Sequence, residues 1–169
     1  MRANDAQPGA DRLYPSRPIP GVGAAILVSP ADAAVATLPP GLPDPWGVVL
    51  VKRRFEPLAG HWSLPGGLLE LGETLVEGVA REMREETGLI VEVGDVLEVF
   101  DRIALDEDRR IRHHYVLVDY WCRPIGGGLQ ADSDVSDVRV VAPEALGDFG
   151  VSSLVEQVVS KAIAAVTRR

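Results

Sequence analysis

The hydrophobic positions form five runs of strand type, separated by turn-rich segments. Each run is rich in valine, isoleucine or aromatic residues and is bounded by glycine, proline or charged residues, which is typical of buried strands. The charged turn 106–110 separates two of them, which we expect to pair as a long hairpin. A shorter strand end at 61–67 leads into a glycine turn. The five runs are 21–28, 46–54, 89–105, 113–122 and 137–146.

Two segments have helical periodicity instead. Thr74 and Glu77 fit a capping box, which predicts a helix over Leu75–Thr87. Gly88 then supplies the left-handed C-cap position that glycine adopts at little cost. Apolar residues spaced by four give this helix a core-facing stripe at Leu75, Val79 and Met83. A second amphipathic helix is predicted at 152–166, with the same spacing at Leu154, Val158, Ala162 and Val166.

Strands interleaved with two helices predict an α/β or α+β domain with a mixed β-sheet. The chain has 169 residues, enough for one domain with a proper core and hardly enough for two. Four prolines in residues 1–20 indicate a flexible or extended lead-in, so the domain is expected at 21–169. Five further prolines mark 29–45 as a long surface loop between two core strands.

Composition and charge exclude several classes of protein. Hydrophobic residues make up 46% and charged residues 25%, as in a folded soluble protein, and no apolar run approaches the ~18 residues of a membrane span. The net charge of −8 argues against binding to a nucleic-acid backbone. The N-terminus lacks the pattern of a secretion signal, so we expect a cytoplasmic protein. The single cysteine, Cys122, has no partner for an internal disulfide.

Three glutamates share one face of the predicted first helix. Successive helical residues are about 100° apart, so Glu82, Glu85 and Glu86 fall within an arc of roughly 100°. A cation would relieve their mutual repulsion, and Mg²⁺ is usually held by a few carboxylates together with water and substrate phosphates. Gly66 and Gly67 permit close backbone approach just before the helix, where a carbonyl could add a ligand. Taken alone, the same pattern also fits a solvated acidic helix face.

The spacing around these glutamates resembles the Nudix box. Gly67 is followed after five residues by Glu73 and, after seven more, by the sequence REMREETGL at 81–89. Every defined position of the box is matched, and the preceding WSLPGG at 62–67 is similar to the family's usual approach to it. With the flanking strands, the resemblance extends over 21–166, leaving out the lead-in and the proline-rich loop.

The resemblance implies an α/β/α sandwich with a loop–helix–loop metal site and hydrolysis of a nucleoside diphosphate linked to a group X. Glu82 and Glu86 would then be the principal Mg²⁺ ligands. Glu85 would be a further ligand or the water activator, with the Gly66 carbonyl assisting, and Mn²⁺ could replace Mg²⁺. Four other box positions would be structural: Gly67, Glu73, Arg81 and Gly88. Of these, Arg81 would pair with Glu73 and orient the ligand helix.

A carboxylate must take the proton of the attacking water in such a reaction. The metal neutralises the diphosphate and lowers the pKa of the water, and members of the family differ in which acid accepts the proton. Our first candidate is Glu85. Glu107, Asp108 and Asp134 are alternatives, and each of them also fits a plain turn residue.

The predicted hairpin resembles the corresponding part of ADP-ribose pyrophosphatase-like Nudix proteins. The expected substrate is therefore ADP-ribose, cleaved to AMP and ribose 5-phosphate. Hydrolysis of nucleoside triphosphates, including oxidised ones, and sensing of ADP-ribose without turnover are the alternatives. The side chains that could contact the nucleotide also fit packing or solvation, since alternate strand residues face opposite sides. They are Arg53, Arg54, Arg102, Arg110, His113 and Tyr115.

The resemblance and the chain order also suggest how the molecule assembles. Nudix proteins of this type are often homodimers, so we expect a homodimer with a small-molecule substrate and with no nucleic-acid or membrane partner. The loop 29–45 lies between two core strands, which suggests that it borders the nucleotide pocket or a dimer interface. Deletion of this loop without a change in KM or molecular mass would contradict that hypothesis.

Overall fold

The computed structural model of the chain describes residues 12–55, 58–132 and 134–168. Its strands are β1 (Ile19–Val28), β2 (Gly47–Arg53), β3 (Trp62–Ser63), β4 (Gly66–Leu68), β5 (Leu89–Leu105), β6 (Ile111–Gly127) and β7 (Val135–Val141). Its α-helices are α1 (Leu75–Thr87) and α2 (Ser153–Thr167), and short 3-10 helices lie at Pro30–Ala34 and Pro143–Phe149. None of the helices in this part of the chain is long and apolar enough to cross a membrane.

The strands form one mixed sheet with β1 near its centre. The strand order is β3-β2-β1-β6-β5, while β4 pairs with β1 and β7 pairs with β2. β1 and β6 run parallel, and the other strand pairs are antiparallel. Residues 21–23 of β1 pair with β4, whereas Leu27 and Val28 pair with β2. The central strand β1 therefore pairs with β4 in its first half and with β2 at its C-terminal end.

The two helices cover opposite faces of the sheet. Alternate residues of β1 point to opposite sides, so Ala24 and Ile26 lie in the cluster that contains Val79 and Met83 of α1. The intervening β1 residues lie in a second cluster with α2. That cluster contains Ala25, Leu27, Val158, Val159 and Ala162. We call these two sides the α1 face and the α2 face. The arrangement confirms the expected α/β/α sandwich with a mixed sheet.

The predicted helix ends are confirmed. Glu77 N–H donates to Thr74 Oγ1 at 3.3 Å, and Thr74 N–H donates to Glu77 Oε2 at 2.8 Å, so the capping box forms in both directions. Gly88 closes α1 in the left-handed conformation with φ 71°. Ser152 caps α2 through a hydrogen bond from the Val155 N–H. Both helices are therefore specified by short-range signals in the sequence.

Other boundaries differ from the predicted ones. The strand expected at 137–146 ends at Val141, because Pro143 opens a 3-10 helix instead of continuing the strand. The strand end predicted at 61–67 is two short strands, β3 and β4, that pair with different partners. The lead-in falls mostly at 1–11, outside the described residues, and β1 already begins at Ile19.

The proline-rich loop 29–45 is partly ordered by its own contacts. It begins with the 3-10 helix Pro30–Ala34, in which the Ser29 N–H donates to Asp32 at 2.7 Å. Thr37 forms a bridge to Gly128 after β6, and the loop lines a cavity of about 520 Å³ together with β7. Its proposed role at a nucleotide pocket or a dimer interface stays a prediction.

Candidate active site

The acidic side of α1 is held against the glycines of β4. The Glu86 carboxylate accepts a hydrogen bond from the Gly66 N–H at 2.8 Å, and the Glu82 carboxylate lies directly beside the α-carbon of Gly67. A side chain at Gly66 would clash with the backbone of β1, whereas one at Gly67 would displace the Glu82 carboxylate. A Cβ on Gly66, which has φ 155°, would overlap the Val22 carbonyl oxygen, and a Cβ on Gly67 would overlap the Glu82 carboxylate.

Arg81 links the loop before α1 to the acidic side of the helix. Its guanidinium donates to both carboxylate oxygens of Glu73, at 2.6 and 2.9 Å, and to the Leu68 carbonyl oxygen at 3.0 Å. The same group donates to Glu82 at 2.8 Å and to Glu85 at 3.2 Å. The hydrogen bond from Arg81 lowers the pKa of Glu73 to about 2. The structure therefore brings the predicted Arg81–Glu73 pair together, with a fork geometry that a lysine could not reproduce.

Glu86 is buried, and the partly buried Glu82 lies near enough for its charge to act on it. Burial raises the pKa of Glu86 to about 7. The hydrogen bond from Gly66 and the positive charge of Arg53 oppose this rise, while the negative charges of Glu82 and Asp134 add to it. Burial also raises the pKa of Glu82, against the effect of the neighbouring guanidinium. Both carboxylates are therefore harder to ionise than a free glutamate, because the low local dielectric penalises their charged forms more than the nearby arginines favour them.

The donor set of this pair fits Mg²⁺. No three acidic, histidine or cysteine side chains of the described residues are grouped so that they could hold a metal ion. Arg81 engages Glu82 and Glu85, and Glu86 faces the Gly66 N–H rather than its carbonyl. Mg²⁺ nevertheless needs only one or two protein carboxylates, since water and substrate phosphates complete its shell. Glu82 and Glu86 would hold it, while ligation by Glu85 and by the Gly66 carbonyl stays a prediction.

The two arginines that follow β2 have different surroundings. Arg53 lies close enough to the acidic cluster for its charge to lower the pKa of Glu86. Arg54 instead donates to the Val135 carbonyl oxygen at 2.8 Å and ties β2 to the start of β7. Of the two predicted phosphate contacts, the structure thus brings only Arg53 into electrostatic contact with Glu86.

The predicted nucleotide contacts of the hairpin lie towards its outer end, where residues 12–18 approach it. Arg110 Nε donates to Asp106 at 2.8 Å, and its guanidinium lies 5.1 Å from the centre of the Tyr14 ring. His113 Nδ1 is 2.9 Å from a carbonyl oxygen of the N-terminal segment and 3.5 Å from the Tyr115 hydroxyl. Among the described residues, the following four make no hydrogen bond or ion pair with the acidic side of α1: Arg102, Arg110, His113 and Tyr115.

The alternative general bases are separated by the fold. Glu107 and Asp108 lie in the hairpin turn, where Asp108 is 3.4 Å from the Arg110 guanidinium. Asp134 precedes β7 and contributes to the raised pKa of Glu86. Glu85, the first candidate, is half-exposed beside Arg81 on the acidic side of α1. Glu85 and Asp134 are therefore the candidates that the structure places near the buried pair.

One buried acid was not among the predicted site residues. Asp119 of β6 is 8% exposed, in a strand that is apolar on both faces. Its neighbours Tyr120 and Trp121 are also buried. An acid within such a run is a signal that could have identified it, but the pattern does not reveal which face it occupies.

Comparison with known proteins identifies the family. The profile of the NUDIX domain matches residues 30–160. The ADP-ribose pyrophosphatase of Methanocaldococcus jannaschii is 40% identical over 92 residues, which are 54% of this chain and 52% of that protein. The 8-oxo-dGDP phosphatase NUDT18 of Mus musculus is 32% identical over 117 residues, 64% of this chain and 33% of that protein. The chain thus spans between about a third and about half of the length of these two relatives.

Solved structures show the same fold. The crystal structure of UDP-X diphosphatase has a TM-score of 0.63 at 22% identity and covers 89% of this chain and 64% of its own. The NUDIX domain of Shewanella oneidensis NrtR, complexed with ADP ribose, has a TM-score of 0.64 at 21% identity. The match covers 96% of this chain and 94% of that domain's chain. Because the domain profile spans most of the sequence and the box residues lie as described above, the chain belongs to the Nudix family.

Proposed function

We propose that the chain is a Mg²⁺-dependent Nudix hydrolase that cleaves the diphosphate of ADP-ribose to AMP and ribose 5-phosphate. The main support is the pair of neighbouring carboxylates, the partly buried Glu82 and the buried Glu86, which are held against Gly66 and Gly67 and whose pKa values are raised by burial. The similarity to a protein named ADP-ribose pyrophosphatase supports the choice of substrate.

The chain's own residues would hold the metal and the substrate in place. When bound, Mg²⁺ supplies positive charge to the diphosphate and acidifies a water molecule. Glu82 and Glu86 hold the ion, and Arg81 fixes Glu82 by binding Glu73 and the Leu68 carbonyl at the same time. Such preorganisation means that little rearrangement is needed when the substrate binds.

A carboxylate beside this pair would take the proton of the attacking water. Glu85 is on the same side of α1 and half-exposed, so water reaches it, and Asp134 is the alternative next to Glu86. The pH dependence of kcat for Glu85→Gln and Asp134→Asn separates the two. If Glu85 is the base, Glu85→Gln should have a lower kcat that no longer falls at acidic pH, whereas Asp134→Asn should keep the fall. The reverse result would identify Asp134 as the base.

A second candidate reaction is hydrolysis of nucleoside triphosphates, including oxidised ones. It is supported by NUDT18 and by a Mycobacterium tuberculosis protein named putative 8-oxo-dGTP diphosphatase 2, which is 47% identical over 73 residues, 40% of this chain and 50% of that protein. The products distinguish the reactions. ADP-ribose gives AMP and ribose 5-phosphate, whereas a triphosphate gives a monophosphate and pyrophosphate.

Product analysis on a small substrate panel tests the proposal. ADP-ribose, nucleoside diphosphate sugars, diadenosine polyphosphates and nucleoside triphosphates would each be incubated with the protein in Mg²⁺ or in EDTA. We expect Mg²⁺-dependent formation of AMP from ADP-ribose at the highest kcat/KM of the panel. Preferential turnover of a triphosphate would move the protein to the second reaction. Binding of ADP-ribose without any turnover would make it a sensor.

A further inference from the structure

The proline-rich loop 29–45 is bound to the chain segment at the end of β6. Thr37 of the loop donates its N–H to the Gly127 carbonyl oxygen at 2.9 Å, and its own carbonyl oxygen accepts a hydrogen bond from the Leu129 N–H at 2.9 Å. These two bonds have the arrangement of a parallel β-bridge. They fix the loop to residues 127–130, which we call the β6 extension.

The β6 extension is bound in turn to the C-terminal end of α1. The Gly128 N–H donates to the Gly88 carbonyl oxygen at 3.3 Å, and the Gln130 N–H donates to the Thr87 carbonyl oxygen at 2.9 Å. The last carbonyl groups of a helix have no partner within the helix, so the extension satisfies an acceptor that α1 leaves open. Thr87 is fully buried and directly follows Glu86.

The three backbone segments are also in close steric contact. A Cβ on Gly88 would lie 2.3 Å from the Gly128 carbonyl oxygen, and a Cβ on Gly127 would lie 2.3 Å from the Gly88 carbonyl oxygen. A Cβ on Gly128 would lie 3.3 Å from the Cβ of Thr37. Because closely packed interiors transmit a displacement instead of absorbing it, a shift of the loop at Thr37 would reach the end of α1.

The two neighbours of Thr37 anchor the loop in the core beside the same helix. Ala36 is buried, and Leu38 packs against the cluster of the α1 face that contains Met83 and Leu89. Beyond this point the loop and β7 line a cavity of about 520 Å³, which leaves that part of the loop with less packing. The attachment of the loop is therefore strongest at Thr37, where it meets the β6 extension.

We propose that Thr37 is a positioning residue for the metal site: its backbone hydrogen bonds hold the β6 extension against the end of α1 and thereby fix Glu86 for Mg²⁺. Groups that must be ordered when a ligand binds reduce its affinity, so a ligand residue that is held in advance binds the ion more tightly. This inference rests on the proposed function, since it requires that Glu82 and Glu86 hold Mg²⁺. In this role Thr37 touches neither the metal nor the substrate.

Mg²⁺ binding by two variants of one position tests the role of the Thr37 N–H. Thr37→Pro lacks this donor, whereas Thr37→Ala keeps it and is the matched control. We expect the Mg²⁺ Kd, obtained by titrating Tm with Mg²⁺ in the absence of nucleotide, to rise at least about fivefold in Thr37→Pro and to change less than about twofold in Thr37→Ala. At a temperature where both variants are folded, excess Mg²⁺ should restore kcat of Thr37→Pro to within about twofold of the wild type.

Hydrogen exchange in the wild type tests the same coupling without a substitution, and it remains available if Thr37→Pro does not fold. Coupling between two sites is reciprocal, so Mg²⁺ should slow the exchange of the Thr37, Leu129 and Gln130 N–H groups at least about fivefold. The reference is the Val35 N–H, which is bonded to Asp32 within the loop. It opens locally and should keep its rate within about twofold.

An unchanged Mg²⁺ Kd in Thr37→Pro, with the variant folded by circular dichroism, would overturn the inference. So would unchanged exchange of all three N–H groups on addition of Mg²⁺, or a loss of kcat in Thr37→Pro that excess Mg²⁺ does not restore. Failure of the proposed function has a different signature. ADP-ribose would then not be turned over although Mg²⁺ binds, while Thr37→Pro would still weaken Mg²⁺ binding and support the positioning role.

Discussion

At the scale of single residues, hydrogen bonding and burial give chemically identical glutamates different pKa values. Glu73, Glu82 and Glu86 have the same side chain, yet the pKa of Glu73 falls to about 2 and the pKa of Glu86 rises to about 7. Glu73 accepts two hydrogen bonds from Arg81, whereas Glu86 is buried beside other acids. The spacing in the sequence predicts the three acids, but the contrast between them depends on contacts made only in the folded chain.

The raised pKa of Glu86 predicts how stability depends on pH in the absence of metal. The folded state holds this proton up to about pH 7, while an unfolded glutamate releases it near pH 4.5, so unfolding releases a proton in between. The free energy of unfolding should therefore fall as the pH rises from 4.5 to 7, by on the order of 3 kcal/mol from this group, and then level off. Urea titrations in EDTA measure this fall.

Glu86→Gln provides the comparison for that prediction. Glutamine has no proton to release, so the variant should show a clearly flatter pH dependence between pH 4.5 and 7, with what remains coming from Glu82 and Asp119. Equal slopes in the wild type and in the variant would show that Glu86 is not the group responsible.

At the scale of elements, α1 was the most predictable part of the fold. Thr74, Glu77 and Gly88 act within a few residues, so the sequence defines both ends of the helix. The division between β3 and β4 was missed, because it depends on pairing with two different strands. The sheet face that Asp119 of β6 occupies could not be derived either, because a strand with two apolar faces does not indicate which helix covers each face.

Arg81 is the side chain that joins α1 to its preceding loop, and its fork geometry is testable. Arg81→Lys keeps the charge but cannot bind Glu73, Leu68 and Glu82 together. We expect kcat/KM for ADP-ribose to fall at least about tenfold, because Glu82 loses its fixed position. Arg84→Lys, on the exposed part of the same helix, is the matched control and should change kcat/KM less than twofold. Equal effects of the two substitutions would contradict a positioning role for Arg81.

At the scale of the whole molecule, the fold brings together groups that are distant in sequence. Glu86 of α1, Gly66 of β4 and Gly23 of β1 form a continuous set of contacts that ends at Asp119. The spacing of the Nudix box predicts that Glu86 and Gly66 lie close together. The contact between Gly23 and Asp119, in contrast, requires the parallel pairing of β1 with β6. The expected homodimer stays a prediction, which sedimentation equilibrium would test.

Metal binding should stabilise the whole chain. A ligand that binds only the folded state raises the free energy of unfolding, by about 2.7 kcal/mol at one hundred times its Kd. For a protein of this size, Mg²⁺ at that concentration should raise Tm by several degrees. The control is NaCl of equal ionic strength. In the double variant Glu82→Gln, Glu86→Gln we expect the rise to disappear, and a rise of wild-type size would place the metal elsewhere.

We propose that Glu82 and Glu86 of α1 support a Mg²⁺-dependent hydrolysis of ADP-ribose. Its most direct test is kcat/KM for AMP formation at saturating Mg²⁺ in the wild type, in Glu86→Gln and in Glu156→Gln, an exposed glutamate in the first turn of α2. We expect kcat/KM to fall about 10³-fold in Glu86→Gln, equivalent to a few kcal/mol of transition-state stabilisation, and to change less than twofold in Glu156→Gln. Activity of Glu86→Gln within about threefold of the wild type would contradict it.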